Sequence, residues 1–425
     1  MAVWLAILAV PGVPVLRRIR EPEDRMLIAS GIAALATWLV VWLIGRYGPA
    51  SDLTLKAIPA VSAIVLLAGL AIGAYGLLQI GPARSMREYH RIAVLAVLVF
   101  GGAYLTAVGM GLLWSGPGTI VELAEQRYLW LPGDNVIPQI YAAALRNASI
   151  PQPLMGDWMS ADRPPLQTGY LLLFGKALEK SVHLDVYNGD ALIGIACQAL
   201  FALSILRFAR TVCGSLAVGA VAAAAVMVVP ATGVYVFFAW PKLLAAAFLM
   251  TAFSLTLDLL RAERRRLASP RAIVVTWGVA VALAALSHGG VLFSIVPMGA
   301  LLLIAVHRAA PALRSRLSLI GWALVALAAT YVPWWAYGKI TGEDHGRLIK
   351  WHFAGQTDPS TTSTLQVIRQ AYSGLTFHSW FEMRRANLDK VVWDAAAPRD
   401  PGLIWDAVRS APGWRAIEFQ GLSFT

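Results

Sequence analysis

The chain has 425 residues, of which 58% are hydrophobic and only 14% charged, with a mean hydropathy of +0.63. A soluble domain carries about a quarter charged residues, so this composition excludes an ordinary soluble enzyme or binding module and leaves an all-α polytopic integral membrane protein. The net charge of +11 (35 basic residues against 24 acidic) would point to nucleic acid in a soluble chain. Here the arginines cluster in short loops between apolar runs, so the partners are membrane lipids and no nucleic acid is expected.

The opening "MAVWLAILAVPGVPVL" (residues 1–16) lacks a basic leader and a small-residue cleavage site, and reads as a short first span. Crossing the hydrocarbon takes about 20 apolar residues, and runs near that length occur at about 27–46, 57–80, 92–114, 187–207, 214–236, 239–260, 272–288, 289–306 and 318–337. Alternation puts the arginine-rich loops "RRIREPEDR", "PARSMREYHR", "RFART", "RAERRRLASPR" and "HRAAPALRSR" together in the cytoplasm. The chain then divides into N-terminal transmembrane helices (1–91), a transmembrane core (92–338) with a long outer loop (115–186), and an extracytoplasmic C-terminal segment (339–425). Cys197 and Cys213 are too few for a disulfide framework or a zinc site.

A loop as long as 115–186 is uncommon without a function. Its "DNVIPQIYAAALRN" has apolar residues at helical spacing behind Asp134, the expected N-cap of a short helix lying at the interface. Its "PPLQTGYLLLFGKAL" is a second apolar helix, opened by prolines and too short to span, which makes the loop a membrane-hugging layer. Between them, "GDWMSADRPP" places Asp157, Asp162 and Arg163 where the chain meets the bilayer. Lys242 and His288 fall at outer ends of apolar spans, where ionisable groups are costly and often functional. In the C-terminal segment His345, His352 and His378 are too irregularly spaced for a metal site.

Taken in order, the "YAAALRN" helix, the basic residue before "PPL", "LFGKAL", a span ending in "RFAR", "LSHGGVLFSIVP" and "YVPWWAYGKITGEDHGRLIKWHF" resemble the GT-C glycosyltransferases, in particular the branch of the protein O-mannosyltransferases and lipid A aminoarabinose transferases. The resemblance runs from about residue 92 to about 354. It implies a GT-C type helical bundle with extracytoplasmic juxtamembrane helices. It also implies transfer of a sugar from a polyprenyl-phosphate carrier to a lipid, glycan or protein acceptor on the outer face of the membrane, which the density of Ala, Arg and Trp suggests is a bacterial inner membrane. Such transfer needs a carboxylate to take the acceptor's proton and cations to stabilise the departing phosphate.

The resemblance gives Asp134 the role of general base. The family shows an acidic pair there, whereas Asn135 follows here, so a second carboxylate falls to Asp162 or Asp157. Arg163 is the expected phosphate ligand, since a guanidinium fork suits phosphate oxygens. His288 stands where the family tends to carry lysine, Lys242 where relatives often have an acidic residue, and Arg347 and Lys350 are expected to line the carrier-phosphate site. The sequence names no cofactor and leaves a divalent metal, Mg or Mn, open without indicating one.

Plainer roles stand beside these: an N-cap for Asp134, a surface ion pair of Asp162 with Arg163, a headgroup-snorkelling Arg163, and a His288 capping the turn at Gly289 and Gly290. The absence of a "GxxxxGK[ST]" motif disfavours an ATP-driven pump. Two other functions compete with the enzyme: a lipid-linked saccharide flippase or other transporter, and a non-catalytic scaffold of the same fold. A transporter would keep its ionisable residues near the bilayer midplane.

Overall fold

The structure is a computed structural model of the chain, and it describes the backbone of residues 1, 19, 21–48, 52–79, 84–113, 120, 133–182, 185–265, 269–343, 346–358, 360 and 362–389. The expected span at 1–16 lies outside these residues except for Met1. The described residues form helices and no strand, and seven helical segments are long and apolar enough to cross a membrane.

In chain order the helices are α1 (Pro22–Tyr47), α2 (Asp52–Gln79), α3 (Arg84–Leu113), α4 (Ile137–Arg146), α5 (Leu166–Val182), α6 (Val186–Ala199) and α7 (Phe201–Cys213). There follow α8 (Leu216–Met227), α9 (Pro230–Phe237), α10 (Lys242–Arg265), α11 (Pro270–Ala285), α12 (Leu292–Ala309), α13 (Leu313–Thr341), α14 (Arg347–Ala354), α15 (Thr364–Tyr372) and α16 (Phe377–Asp389). The expected run 214–236 is broken in two, because Pro230 biases the residue before it away from helix and Val229 is extended at φ −63°, ψ 128°.

Helix α1 opens with Pro22 in its first turn and Glu23 and Asp24 beside it, which suits the positive end of the helix dipole. It runs through the core against α2, α5, α7 and α11. Large apolar side chains such as Leu67, Leu98, Val296 and Leu303 stay exposed on the outer faces of α2, α3 and α12, the surface that lipid would cover.

Helix α5 corrects the expectation of a layer on the membrane surface. Every residue from Leu166 to Gly175 is buried. The run Leu171, Leu172, Leu173, Phe174 leaves no polar face, and a helix apolar all round belongs inside a bundle. Gly169 lets it approach α1 so closely that a Cβ there would sit 2.3 Å from the carbonyl oxygen of Ala34. Tyr170 and Ser30 share a hydrogen bond of 2.8 Å, and the Ser62 hydroxyl donates to the Leu172 carbonyl at 2.8 Å.

The N-cap expectation is also corrected. A 3-10 turn, Gly133–Val136, precedes α4, whose N-cap is Val136, so Asp134 lies within that turn. α4 is mostly buried, Ile137, Tyr141 and Leu145 included, and packs on α5 instead of lying flat at the interface.

Charge collects at the two ends of the bundle. Along α10, Lys242 opens one end and Asp258 lies near the other, roughly 24 Å away at 1.5 Å per residue. Near Asp258, Arg207 is bonded to Asp24 at 3.1 Å and to Asp258, and Arg210 reaches Glu21 at 2.6 Å and Glu23 at 2.9 Å. The Lys242 end holds the site described next.

Candidate functional site

Residues 151–165 build one wall. Gly156, at φ +57°, closes a tight turn in which the Leu154 N–H donates to the Trp158 carbonyl at 2.7 Å and the Trp158 N–H to the Met155 carbonyl at 2.9 Å. This turn fixes the Trp158 indole. A short 3-10 helix, Ser160–Asp162, follows, and the Asp162 carboxylate accepts from the Met159 N–H at 2.8 Å. Arg163 comes next, ahead of Pro164 and Pro165, and the Leu166 N–H donates to the Leu286 carbonyl at 2.9 Å, which pins the wall to the end of α11.

The opposite wall starts where α13 stops at Gly342, left-handed at φ +74°. Glu343 follows immediately and is buried. The Ser160 hydroxyl lies 2.8 and 2.7 Å from its two oxygens, the Ala161 N–H donates to it at 2.6 Å, and the Gln152 amide donates at 3.0 Å. Ser160 also shares a hydrogen bond with the Tyr337 hydroxyl. The two walls are therefore locked together through one carboxylate.

Arg347, at the start of α14, joins the charged groups. Its guanidinium donates to Asp162 at 3.1 Å, to the Asp157 carbonyl at 2.7 Å and to the Thr357 carbonyl at 3.1 Å, and it pairs with the Asp157 carboxylate. Its guanidinium carbon lies 4.6 Å from the centre of the Trp158 ring, and that of Arg163 lies 4.6 Å from the same ring. The Lys242 ammonium sits 3.8 Å from the Trp240 ring centre and within electrostatic range of Arg163. Lys350 is buried and donates to the Ser360 carbonyl at 2.7 Å.

Burial raises the Asp162 carboxyl above its usual range, against the pull of the Met159 N–H and of Arg347. Burial, with repulsion from Arg347, lowers Arg163 to about 10, so it stays charged at neutral pH. Around Trp158 the buried guanidinium groups of Arg163 and Arg347 meet the carboxylates of Asp157 and Asp162 in a partly dry place, with Lys242 in electrostatic range of Arg163. Fork-shaped and point cations of this kind suit the oxygens of a phosphate.

Of the residues expected from the sequence, Asp157, Asp162, Arg163 and Arg347 meet around Trp158, and Lys242, over the Trp240 ring, lies within electrostatic range of Arg163. Asp162 pairs with Arg347, which replaces the expected surface pair with Arg163. The side chain of Asp134 lies outside the described residues. The Nδ1 of His288 accepts from the Gly290 N–H at 3.0 Å, at the turn that opens α12 and touches α14. His345 and the side chain of His352 lie outside the described residues. Among the described residues, no group of three or more His, Cys, Asp or Glu could hold a metal ion.

The sequence reading missed Ser160, Tyr337 and Glu343. The signal available for Glu343 was its position directly after the glycine stop of a long span, where a side chain is held rigidly.

A family of unknown function, DUF6541, matches residues 186–383, a stretch that includes Lys242, His288, Glu343 and Arg347 and ends in α16. Asp134, Asp157, Asp162 and Arg163 lie before the matched region. No curated protein and no solved structure matches the chain.

Proposed function

We propose that the protein is a membrane glycosyltransferase of the GT-C type, which moves a sugar from a polyprenyl-phosphate carrier to an acceptor hydroxyl on the extracytoplasmic face of a bacterial inner membrane. The observation that carries this reading is the pair Arg163 and Arg347, both 4.6 Å from the Trp158 ring, at one end of an apolar bundle, with Lys242 in electrostatic range of Arg163. Burial and mutual repulsion both disfavour that charge, and a bound phosphate relieves both. A bundle end is also where a lipid carrier keeps its headgroup while its chain stays in the bilayer.

In the reaction, the acceptor oxygen attacks the anomeric carbon and its proton passes to a carboxylate. The bond from sugar to phosphate oxygen breaks, and the electron pair leaves on the carrier phosphate. Arg163 and Arg347 stabilise that growing charge, with Lys242 beside them. Asp134 is the proposed base. Asp162, whose raised affinity for protons suits it to proton transfer, is the second carboxylate, and Asp157 anchors Arg347. The outward orientation rests on arginines such as Arg261, Arg271 and those of 307–316, which fall at the end of the bundle opposite the site. Ionisable groups gathered at helix ends favour an enzyme over a flippase, which would keep them near the midplane.

The base assignment is tested by transfer from polyprenyl-phosphate sugars in nanodiscs. Asp134→Asn should lower kcat by about a hundredfold or more. Undiminished turnover with Asp134→Asn, together with loss in Asp162→Asn, would move the base to Asp162.

A further inference from the structure

We infer that Asn135, Gln139 and Trp240 form a subsite that reads the hydroxyl groups of the transferred sugar, an assignment that rests on the phosphate-linked sugar proposed above. Asn135 is 4% exposed and Gln139 6%. Among the described residues, the side-chain oxygens of both, and the indole N–H of Trp240, are buried without a hydrogen-bond partner. The Asn135 amide nitrogen donates to the Phe238 carbonyl at 3.0 Å, which fixes the amide, since turning it over would set two oxygens against each other. The Phe238 ring in turn meets the Trp240 ring edge-on at 6.1 Å. Gln139 follows Asn135 by four residues, across the junction where the 3-10 turn passes into α4.

Neighbouring buried amides are fully engaged. Gln167 donates to the Ala239 carbonyl at 2.9 Å, Gln198 to the Gln167 oxygen at 3.0 Å, and the Leu244 N–H to the Gln198 oxygen at 3.0 Å. Structural amides in this part of the bundle thus have both ends engaged, whereas Asn135, Gln139 and Trp240 each keep a buried polar atom open. Asn135 is bonded to the segment that carries Trp240, and Ala239 in that segment holds a φ of +56° that residues with a Cβ seldom adopt.

Two acceptors and one donor match hydroxyl groups, which both give and take hydrogen bonds. A carboxylate would be repelled by the two oxygens, and an alkyl chain would leave all three atoms unpaired. The Lys242 ammonium, 3.8 Å from the Trp240 ring centre and in range of Arg163, joins the subsite to the phosphate cations, the order in which a sugar phosphate presents its parts.

Farnesyl phosphate and its conjugates with glucose, mannose, glucosamine and arabinose are suitable probes, with affinity measured on the full chain in nanodiscs. Wild type should bind at least one conjugate ten times more tightly than bare farnesyl phosphate. Gln139→Leu and Trp240→Phe should each erase most of that preference, change the affinity for bare farnesyl phosphate by less than twofold, and melt no lower than wild type without lipid. Asn135 is left intact because its nitrogen also holds Phe238. A preference that survives both substitutions, or a wild type with no preference for any conjugate, overturns the subsite and leaves a buried water as the partner of these atoms. A wild type that prefers a conjugate but transfers no sugar would sink the transferase reading while the subsite stands.

Discussion

Arg163 is 6% exposed and stacks over the Trp158 indole beside Arg347, so its guanidinium has lost most of its hydration while facing a like charge. With its pKa lowered from the usual guanidinium range to about 10, keeping it charged costs on the order of 3 kcal/mol at neutral pH. That cost appears as pH falls from the usual guanidinium range through about 10 and is constant below, so it is fully present at pH 7. Arg163→Met should therefore leave the lipid-free protein as stable as wild type, or more stable, in thermal melts, while weakening binding of bare polyprenyl phosphate at least tenfold. For Asp162 the sign is set by a raised value: the folded chain holds the proton more firmly, so this group's contribution is greatest below 3.8 and declines as pH rises through the raised value. The melting temperature of wild type relative to Asp162→Asn should fall as pH rises across that window. An unchanged difference would mean that the carboxyl titrates as it does in the unfolded chain. Asp157, Asp162, Arg163 and Arg347 were legible as candidates because charge is rare in so apolar a chain. Glu343 was not, since its partner Ser160 lies 183 residues away and only the fold brings them together.

Helix α5 shows what sequence resolves at the level of elements and what it does not. Its apolar length and opening prolines announced a short helix. The same 17 residues suit a surface helix or a buried one, and Gly169 decides between them by allowing backbone contact with α1. Gly169→Ala would drive a methyl into the Ala34 carbonyl and should cost about 1–3 kcal/mol, seen as lower yield and an earlier melt. Gly278→Ala, whose Cβ would meet the Ala323 carbonyl oxygen at 2.2 Å between α11 and α13, should behave alike. By contrast, Gly101→Ala, with nothing within 4 Å of its Cβ, should be neutral or slightly stabilising. Equal melts for Gly169→Ala and Gly101→Ala would contradict the close packing of α5 on α1. Seven of the nine runs marked by apolar length fall on helices long and apolar enough to cross a membrane, while 214–236 and 272–288 fall on shorter helices. The break before Pro230 and the 3-10 turn that holds Asp134 were not legible, because each depends on local backbone geometry that apolar counting ignores.

Across the whole molecule, two charged ends bound an apolar middle, and the proposed orientation puts the Trp158 end outside. Its two cysteines report on this directly, since Cys197 is buried and Cys213 is exposed where α7 ends, on the proposed cytoplasmic side. In intact cells a membrane-impermeant maleimide should leave wild type unlabelled and should label Asp157→Cys, whose native side chain is 59% exposed. Labelling of wild type with none added by Asp157→Cys would invert the topology. The central claim, that this end of the bundle handles a phosphate-linked sugar, is tested most directly by sugar transfer from a panel of polyprenyl-phosphate sugars to membrane-lipid and glycan acceptors, with wild type and Arg163→Gln compared in nanodiscs. The account predicts transfer from at least one donor by wild type and a loss of about a hundredfold in Arg163→Gln. No transfer from any donor by a folded wild type, or full activity in Arg163→Gln, would contradict it.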